Sequence, residues 1–230
     1  MKKSKWISGM ALVCGLAGLM SWILRWRLLS TGGDEKGLLI PGGFPQTVST
    51  IITVLVILAT ASALWQHRQV KIKVYGSPAA TAIRILVFGV AAVSFWQMSL
   101  LGKAAAIAAV AAAAVAAVGL LNKRVPQAVE DIPATLFFML GLLSCYRIWS
   151  AEPEIQRYFY RLTALVSLMM ATYHRSAMAA GLSKGLWFLG GSFLGIYCSF
   201  AAAADPGFTV LFLTLGLWAM TQLDTVREAA

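Results

Sequence analysis

The sequence predicts an all-α fold, a polytopic bundle of about eight transmembrane helices in one integral membrane domain, residues 1–230. Three observations lead there. Of 230 residues, 59% are hydrophobic and 12% charged, with a mean hydropathy of +0.76; an ordinary soluble domain is about half apolar and about a quarter charged. The apolar residues gather into runs near the ~20 that a helix needs to cross a hydrocarbon core. The basic residues lie mostly between those runs, with 19 Lys and Arg against 9 Asp and Glu. In a soluble chain a charge of +10 would suggest nucleic acid. Between apolar runs it reads as topology, because basic residues are retained in cytoplasmic loops. No nucleic-acid partner is expected, and the loops are too short for a separate soluble domain.

The first span runs from about Trp6 to Leu29. It opens like a signal peptide after Lys2, Lys3 and Lys5, but it is too long for an h-region and ends in Arg25-Trp26-Arg27, so it reads as an uncleaved helix. Residues Ser30 to Gln46 are rich in glycine and proline, which break any regular helix. The second span is about Thr47 to Trp65, followed by a basic loop with His67, Arg68, Lys71, Lys73 and Arg84. From Ile85 to Leu121 the chain is nearly all apolar, too long for one crossing, and it divides at Gly102-Lys103.

The fourth span holds eleven alanines between Ala104 and Val118. Small side chains favour close backbone approach in lipid, so this helix is expected near the bundle centre. The remaining spans are about Pro133 to Trp149, Tyr158 to Met178, Leu182 to Phe200 and Phe208 to Leu223. The spacings Gly181-x-x-x-Gly185 and Gly191-x-x-x-Gly195 predict tight helix crossing at the seventh.

With both termini cytoplasmic, 12 basic residues fall inside and 7 outside. The tryptophans agree, with Trp6, Trp65 and Trp187 at inner ends and Trp22, Trp26, Trp96 and Trp149 at outer ends. The two halves, 1–125 and 126–230, are candidates for a four-plus-four parallel repeat. Arg25 corresponds to Arg147, and His67-Arg68 to His174-Arg175.

Catalytic signatures are scarce. No zinc helix or phosphate-binding glycine loop is present, and Cys14, Cys145 and Cys198 sit in apolar runs without metal spacing. Gly181-Leu182-Ser183-Lys184-Gly185 matches G-x-S-x-G, but its flanks read as helices and Ser183 as the cap of span seven. A non-enzymatic protein is expected, with neither cofactor nor metal.

The distinctive feature is arginine. Lysine divides 7 inside to 2 outside, whereas arginine divides 5 to 5. Arginine presents a planar fork that suits carboxylate or phosphate, and ionisable residues in a membrane invite a functional reading. Arg25, Arg147 and Arg161, with Asp34, form the candidate outer site for a small anionic solute or lipid headgroup. The plainer reading pairs the outer arginines with Asp34, Glu35, Glu152, Glu154 and Asp205. His174 is a candidate proton relay. The competing function is an accessory subunit that packs against another membrane protein, or its own copy, through the alanine- and glycine-rich helices.

The segment Leu24-Arg25-Trp26-Arg27-Leu28-Leu29, followed by Asp34-Glu35-Lys36-Gly37-Leu38-Leu39-Ile40-Pro41-Gly42, resembles a pattern in uncharacterised multi-pass membrane proteins of clostridial-type bacteria. Those proteins often have Gly-His-Pro where this chain has Gly43-Phe44-Pro45. The resemblance covers the end of span one and the first outer loop. It implies a bacterial inner membrane, supplies no activity, and suggests that the loop folds back over the bundle mouth.

Overall fold

A computed structural model of the protein describes residues 5–31, 43–69, 72–121, 126–149, 155–183 and 185–228. The elements run α1 (Lys5–Thr31), α2 (Phe44–Gln66), β1 (Ile72–Val74), α3 (Pro78–Trp96), α4 (Leu100–Leu121), α5 (Gln127–Glu130), α6 (Ile132–Trp149), α7 (Ile155–Ala179), α8 (Leu186–Ala202), α9 (Thr209–Asp224) and β2 (Val226–Glu228). Proline at the first turn starts α2 and α3, where its missing N–H would have no helical partner.

Among the described residues, five helical segments are long and apolar enough to cross a membrane: those of α1, α2, α3 and α4, and Ala128–Arg147 around α6. Among the described helices, α8 and α9 are apolar but shorter, at 17 and 16 residues. At about 1.5 Å per residue these two span roughly 25 Å, less than a core of about 30 Å. Helix α7 is long enough, but its arginines, threonines and His174 make it less apolar. Large apolar side chains also cover the outside. Leu12, Leu16, Met20 and Ile23 on α1, and Ile51, Val54, Leu55 and Leu58 on α2, are exposed. Apolar surface on that scale suits lipid rather than water.

Helices α8, α7, α6, α4, α3 and α9 close a ring, each packed on the next, and α1 and α2 lie against the outer side of α8. The middle is filled by aromatic rings. Phe88 meets Phe137 at 5.5 Å and Trp218 at 5.4 Å, both edge-on, and Phe137 meets Phe95 at 5.4 Å. Such pairs add about 0.5–1.5 kcal/mol each beyond their buried area.

The hub is α8, not the alanine-rich α4 expected at the centre. Helix α8 packs on α1, α2, α7 and α9, whereas the long partners of α4 are α3 and α6. The physical reason lies in the larger residues of α4: Ile107, Val110 and Val118 face outward, and the alanines form a smooth face for two neighbours. In the α7–α8 pair, the most extensive in the fold, a Cβ on Gly191 would stand 2.7 Å from the Ser167 carbonyl oxygen and 2.9 Å from the Ala171 nitrogen. The Gly191/Gly195 expectation therefore matches a close crossing. Gly181 and Gly185 instead lie in the α7–α8 connection with φ of +76° and +82°, a conformation that glycine adopts without strain.

The break in the long apolar run falls at residues 97–99, a few residues before Gly102. Gly102 still matters, because a Cβ there would meet Met98 Cβ at 2.6 Å and the Phe95 carbonyl oxygen at 2.9 Å. Neighbour relations differ between the halves. α7 and α8 pack closely, while α2 and α3, their counterparts in a four-plus-four repeat, make no substantial contact.

The connections sort into two ends. At one, the end of α1, the start of α7 and the α8–α9 turn meet. At the other, β1 pairs antiparallel with β2, matching Ile72 with Glu228 and Val74 with Val226, beside α5 and the end of α7.

Candidate functional site

Arg25 lies near the end of α1 and Arg161 in the second turn of α7. The structure brings them together on Asp205, in the α8–α9 turn. Arg25 Nη2 lies 3.3 Å from Asp205 Oδ1, and Arg161 Nε lies 2.6 Å from Oδ2. Asp205 is 1% exposed. Arg25 Nε also donates to the Ala201 carbonyl at 3.2 Å, and its guanidinium sits 4.5 Å from the Tyr160 ring centre. Arg161 sits 5.2 Å from the Phe208 ring centre. Stacking on a ring face and forking onto a carboxylate both suit a planar guanidinium.

Beside this cluster is a cleft of about 260 Å³ between α1, α2 and α7. Arg25 lies at one side, with Gln46, Ser49, Thr50, Thr53 and Tyr160; Leu28, Val54 and Phe159 supply apolar walls. A chain of hydroxyls leads inward from it. Ser49 bonds Tyr160 at 3.2 Å, Tyr160 bonds Thr53 at 2.7 Å, Thr53 bonds Tyr197 at 2.7 Å, and Tyr197 bonds Ser21 at 3.0 Å. Each hydroxyl can donate and accept. The wall can therefore adapt to either role in a ligand, while Arg25 supplies fixed positive charge.

The remaining expected residues do not converge there. Arg147 is exposed on α6 and does not line the cleft. Asp34 and the side chains of Glu152, Glu154 and Arg157 lie outside the described residues, as does most of the loop expected to fold over the mouth. His174 is at the other end of α7. Its ring stacks on Trp187 at 6.1 Å, and its Nδ1 lies 3.4 Å from Ser183 Oγ. Ser183 does not cap α8, whose N-cap is Gly185.

A second charged cluster has no counterpart in the sequence reading. Arg84, placed with the basic loop there, lies in the second turn of α3 and is 1% exposed. Its Nη1 lies 2.8 Å from Asp131 Oδ1 and 3.5 Å from Glu130 Oε1. Its Nη2 donates to the Glu130 carbonyl. Arg175 Nε approaches Asp131 Oδ2 at 3.4 Å. Both ends of α7 thus carry an arginine on an aspartate that a second helix's arginine shares. The available signals were a cation directly before the apolar run that begins at Ile85 and an acid just before the apolar run at Pro133. Their separation in sequence hid the pairing.

No family model, curated protein or solved structure matches the chain.

Proposed function

We propose that the protein is a non-enzymatic, multi-pass protein of a bacterial inner membrane that holds an anionic lipid headgroup or small anionic solute in the cleft beside Arg25. Arg25 carries the reading: a buried guanidinium borders a cleft with five other polar lining residues and three apolar ones. The polar part fits a phosphate or carboxylate, and Leu28, Val54 and Phe159 fit a hydrocarbon chain. Asp205, itself gripped by Arg161, holds Arg25 in place.

In this reading α1–α4 and α6–α9 all cross, with both termini inside. The shortness of α8 is offset by its burial among other helices, since its backbone groups bond within the helix and most of its side chains face protein. The Arg25 end faces outward and the β1–β2 end faces the cytoplasm. Cysteines placed singly at Ser30 and Thr209 are then labelled by an impermeant thiol reagent from outside, and those at Tyr75 and Arg227 only after permeabilisation. The three native cysteines are buried.

The ligand test compares wild type with Thr50→Trp, which fills the cleft from an exposed position. Thermal unfolding in micelles is followed with added phosphatidylglycerol, phosphatidylcholine or inorganic phosphate. Selective stabilisation of wild type by phosphatidylglycerol identifies a lipid, and by phosphate a free anion. Equal responses in the two proteins overturn the cleft. A stoichiometric membrane partner retained on gentle purification, with no ligand effect, supports the accessory-subunit reading instead.

A further inference from the structure

Among the described residues, four hydroxyl side chains line the cleft beside Arg25: Ser49, Thr50, Thr53 and Tyr160. A hydroxyl carries one proton and two lone pairs. Where each proton goes decides what the wall offers a ligand. Thr53 is the branch point. Its Oγ1 lies 2.8 Å from the Ser49 carbonyl oxygen and 2.7 Å from each of the Tyr160 and Tyr197 hydroxyls. A carbonyl can only accept, so Thr53 donates to it. Both tyrosines then donate to Thr53 and fill its two lone pairs.

The other protons are thereby fixed. Tyr160 has spent its proton on Thr53, so the serine's proton makes the 3.2 Å contact between Ser49 and Tyr160. Tyr197 has spent its own as well, so Ser21 donates to it across 3.0 Å. Thr50 gives its proton to the Gln46 carbonyl at 2.9 Å, one turn back on α2. Every contact then holds one proton, and no other assignment achieves this. The four lining hydroxyls keep no proton for the cleft. Ser49 Oγ and Thr50 Oγ1 keep lone pairs, and Thr50 is exposed. A ligand that needed a donor from this wall would first have to break one of these bonds.

The cleft therefore joins a cation to acceptors. Arg25 attracts an anion, and Ser49 and Thr50 accept from donors on the same molecule. An ammonium group would also fill the acceptors, but Arg25 stands on the same wall and none of the described lining residues is acidic. Neutral hydroxyl donors escape that repulsion.

We propose that the ligand is a polyol phosphodiester, an anion that carries its own hydroxyl donors; a glycerol-headed phospholipid is its membrane-borne form. The phosphodiester meets Arg25, and the glycerol hydroxyls donate to Thr50 and Ser49. This proposal rests on the reading of the cleft as an anion site and narrows it, because a bare phosphate or an alkyl phosphodiester answers Arg25 alone.

The test titrates the full chain in detergent micelles with phosphatidylglycerol and with phosphatidylethanol of the same acyl chains. The two share the phosphodiester and its charge and differ in headgroup hydroxyls. The thermal midpoint reports half-saturation. A net hydrogen bond is worth about two- to tenfold in affinity, so wild type is half-saturated by that much less phosphatidylglycerol. Thr50→Val keeps the branched shape, removes the exposed acceptor and narrows the gap without altering the response to phosphatidylethanol. Equal half-saturation of wild type by the two lipids overturns the proposal and leaves the anion site standing. A gap undiminished in both Thr50→Val and Ser49→Ala overturns it too, since the hydroxyls are then read elsewhere. Phosphatidylethanolamine as effective as phosphatidylglycerol gives the acceptors to an ammonium and also overturns it. Glycerophosphoglycerol, the same headgroup without acyl chains, separates the sources: a shift matching the lipid's supports a free solute, and no shift supports the lipid. No response to any of these ligands overturns the anion site itself.

Discussion

Arg161 Nε and Asp205 Oδ2 lie 2.6 Å apart, with the aspartate's other oxygen 3.3 Å from Arg25. One buried carboxylate therefore answers two guanidiniums from helices that are otherwise separated by α8. Asp205→Asn keeps the shape and removes the charge. Removing one member of a buried pair typically costs about 3–5 kcal/mol. The expected outcome is a loss of that order in equilibrium unfolding. Arg161→Gln costs less, because Arg25 still holds Asp205.

At the other end of α7 the pairing can be tested by a cycle. Asp131→Leu leaves Arg84 to Glu130 and takes the carboxylate from Arg175, and Arg84→Met leaves Asp131 to Arg175 alone. The double variant removes both charges of the closest pair in this cluster. It is expected to cost less than the two single losses combined, by a coupling of about 0.5–3 kcal/mol in denaturant unfolding.

Two glycines should respond in opposite directions. Gly191→Ala drives a methyl group toward the α7 backbone at 2.7 Å, and overpacking of this kind costs about 1–3 kcal/mol. Gly89 has nothing within 4 Å of its Cβ position. Gly89→Ala is expected to be neutral or to stabilise α3 by up to about 1 kcal/mol. Thermal midpoints of the two variants, measured side by side, check the contrast.

The β1–β2 pairing predicts a cross-link. Lys73 and Arg227 are partners in the register, and directly opposed positions in an antiparallel pair lie about 4.5–5.5 Å apart, within disulfide range. Lys73→Cys with Arg227→Cys should oxidise to an intramolecular bridge, seen as a mobility shift that reductant reverses. Lys73→Cys with Thr209→Cys, at the opposite end of the bundle, should not.

Helix existence was legible because apolar runs are long, and most boundaries fall within about three residues of the sequence reading. The exceptions have local causes. The α3–α4 break precedes Gly102 because that glycine lies inside α4, where its bare Cα lets the turn close on Phe95 and Met98. α8 starts at Leu186 rather than Leu182 because Gly181 and Gly185 take left-handed conformations in the connection. Arg25, Arg161 and Asp205 were each singled out by residue type, but composition cannot show that two cations share one acid. Arg84 and Asp131 were missed for the converse reason. Counting charges by side of the membrane treats a basic residue as a solvated label, and Arg84 is a core residue.

The Asp205 cluster also has a history within each round of synthesis. Asp205 follows Arg25 by 180 residues, whereas Asp131 follows Arg84 by 47. At roughly 5–20 residues per second, Arg25 waits on the order of ten to forty seconds for its carboxylate, and Arg84 only a fraction of that. Until then Arg25 can keep its charge solvated by reaching toward the headgroups. The Asp131 knot can therefore close early, on the nascent chain. The Asp205 knot closes late, because its carboxylate is made only with the α8–α9 turn.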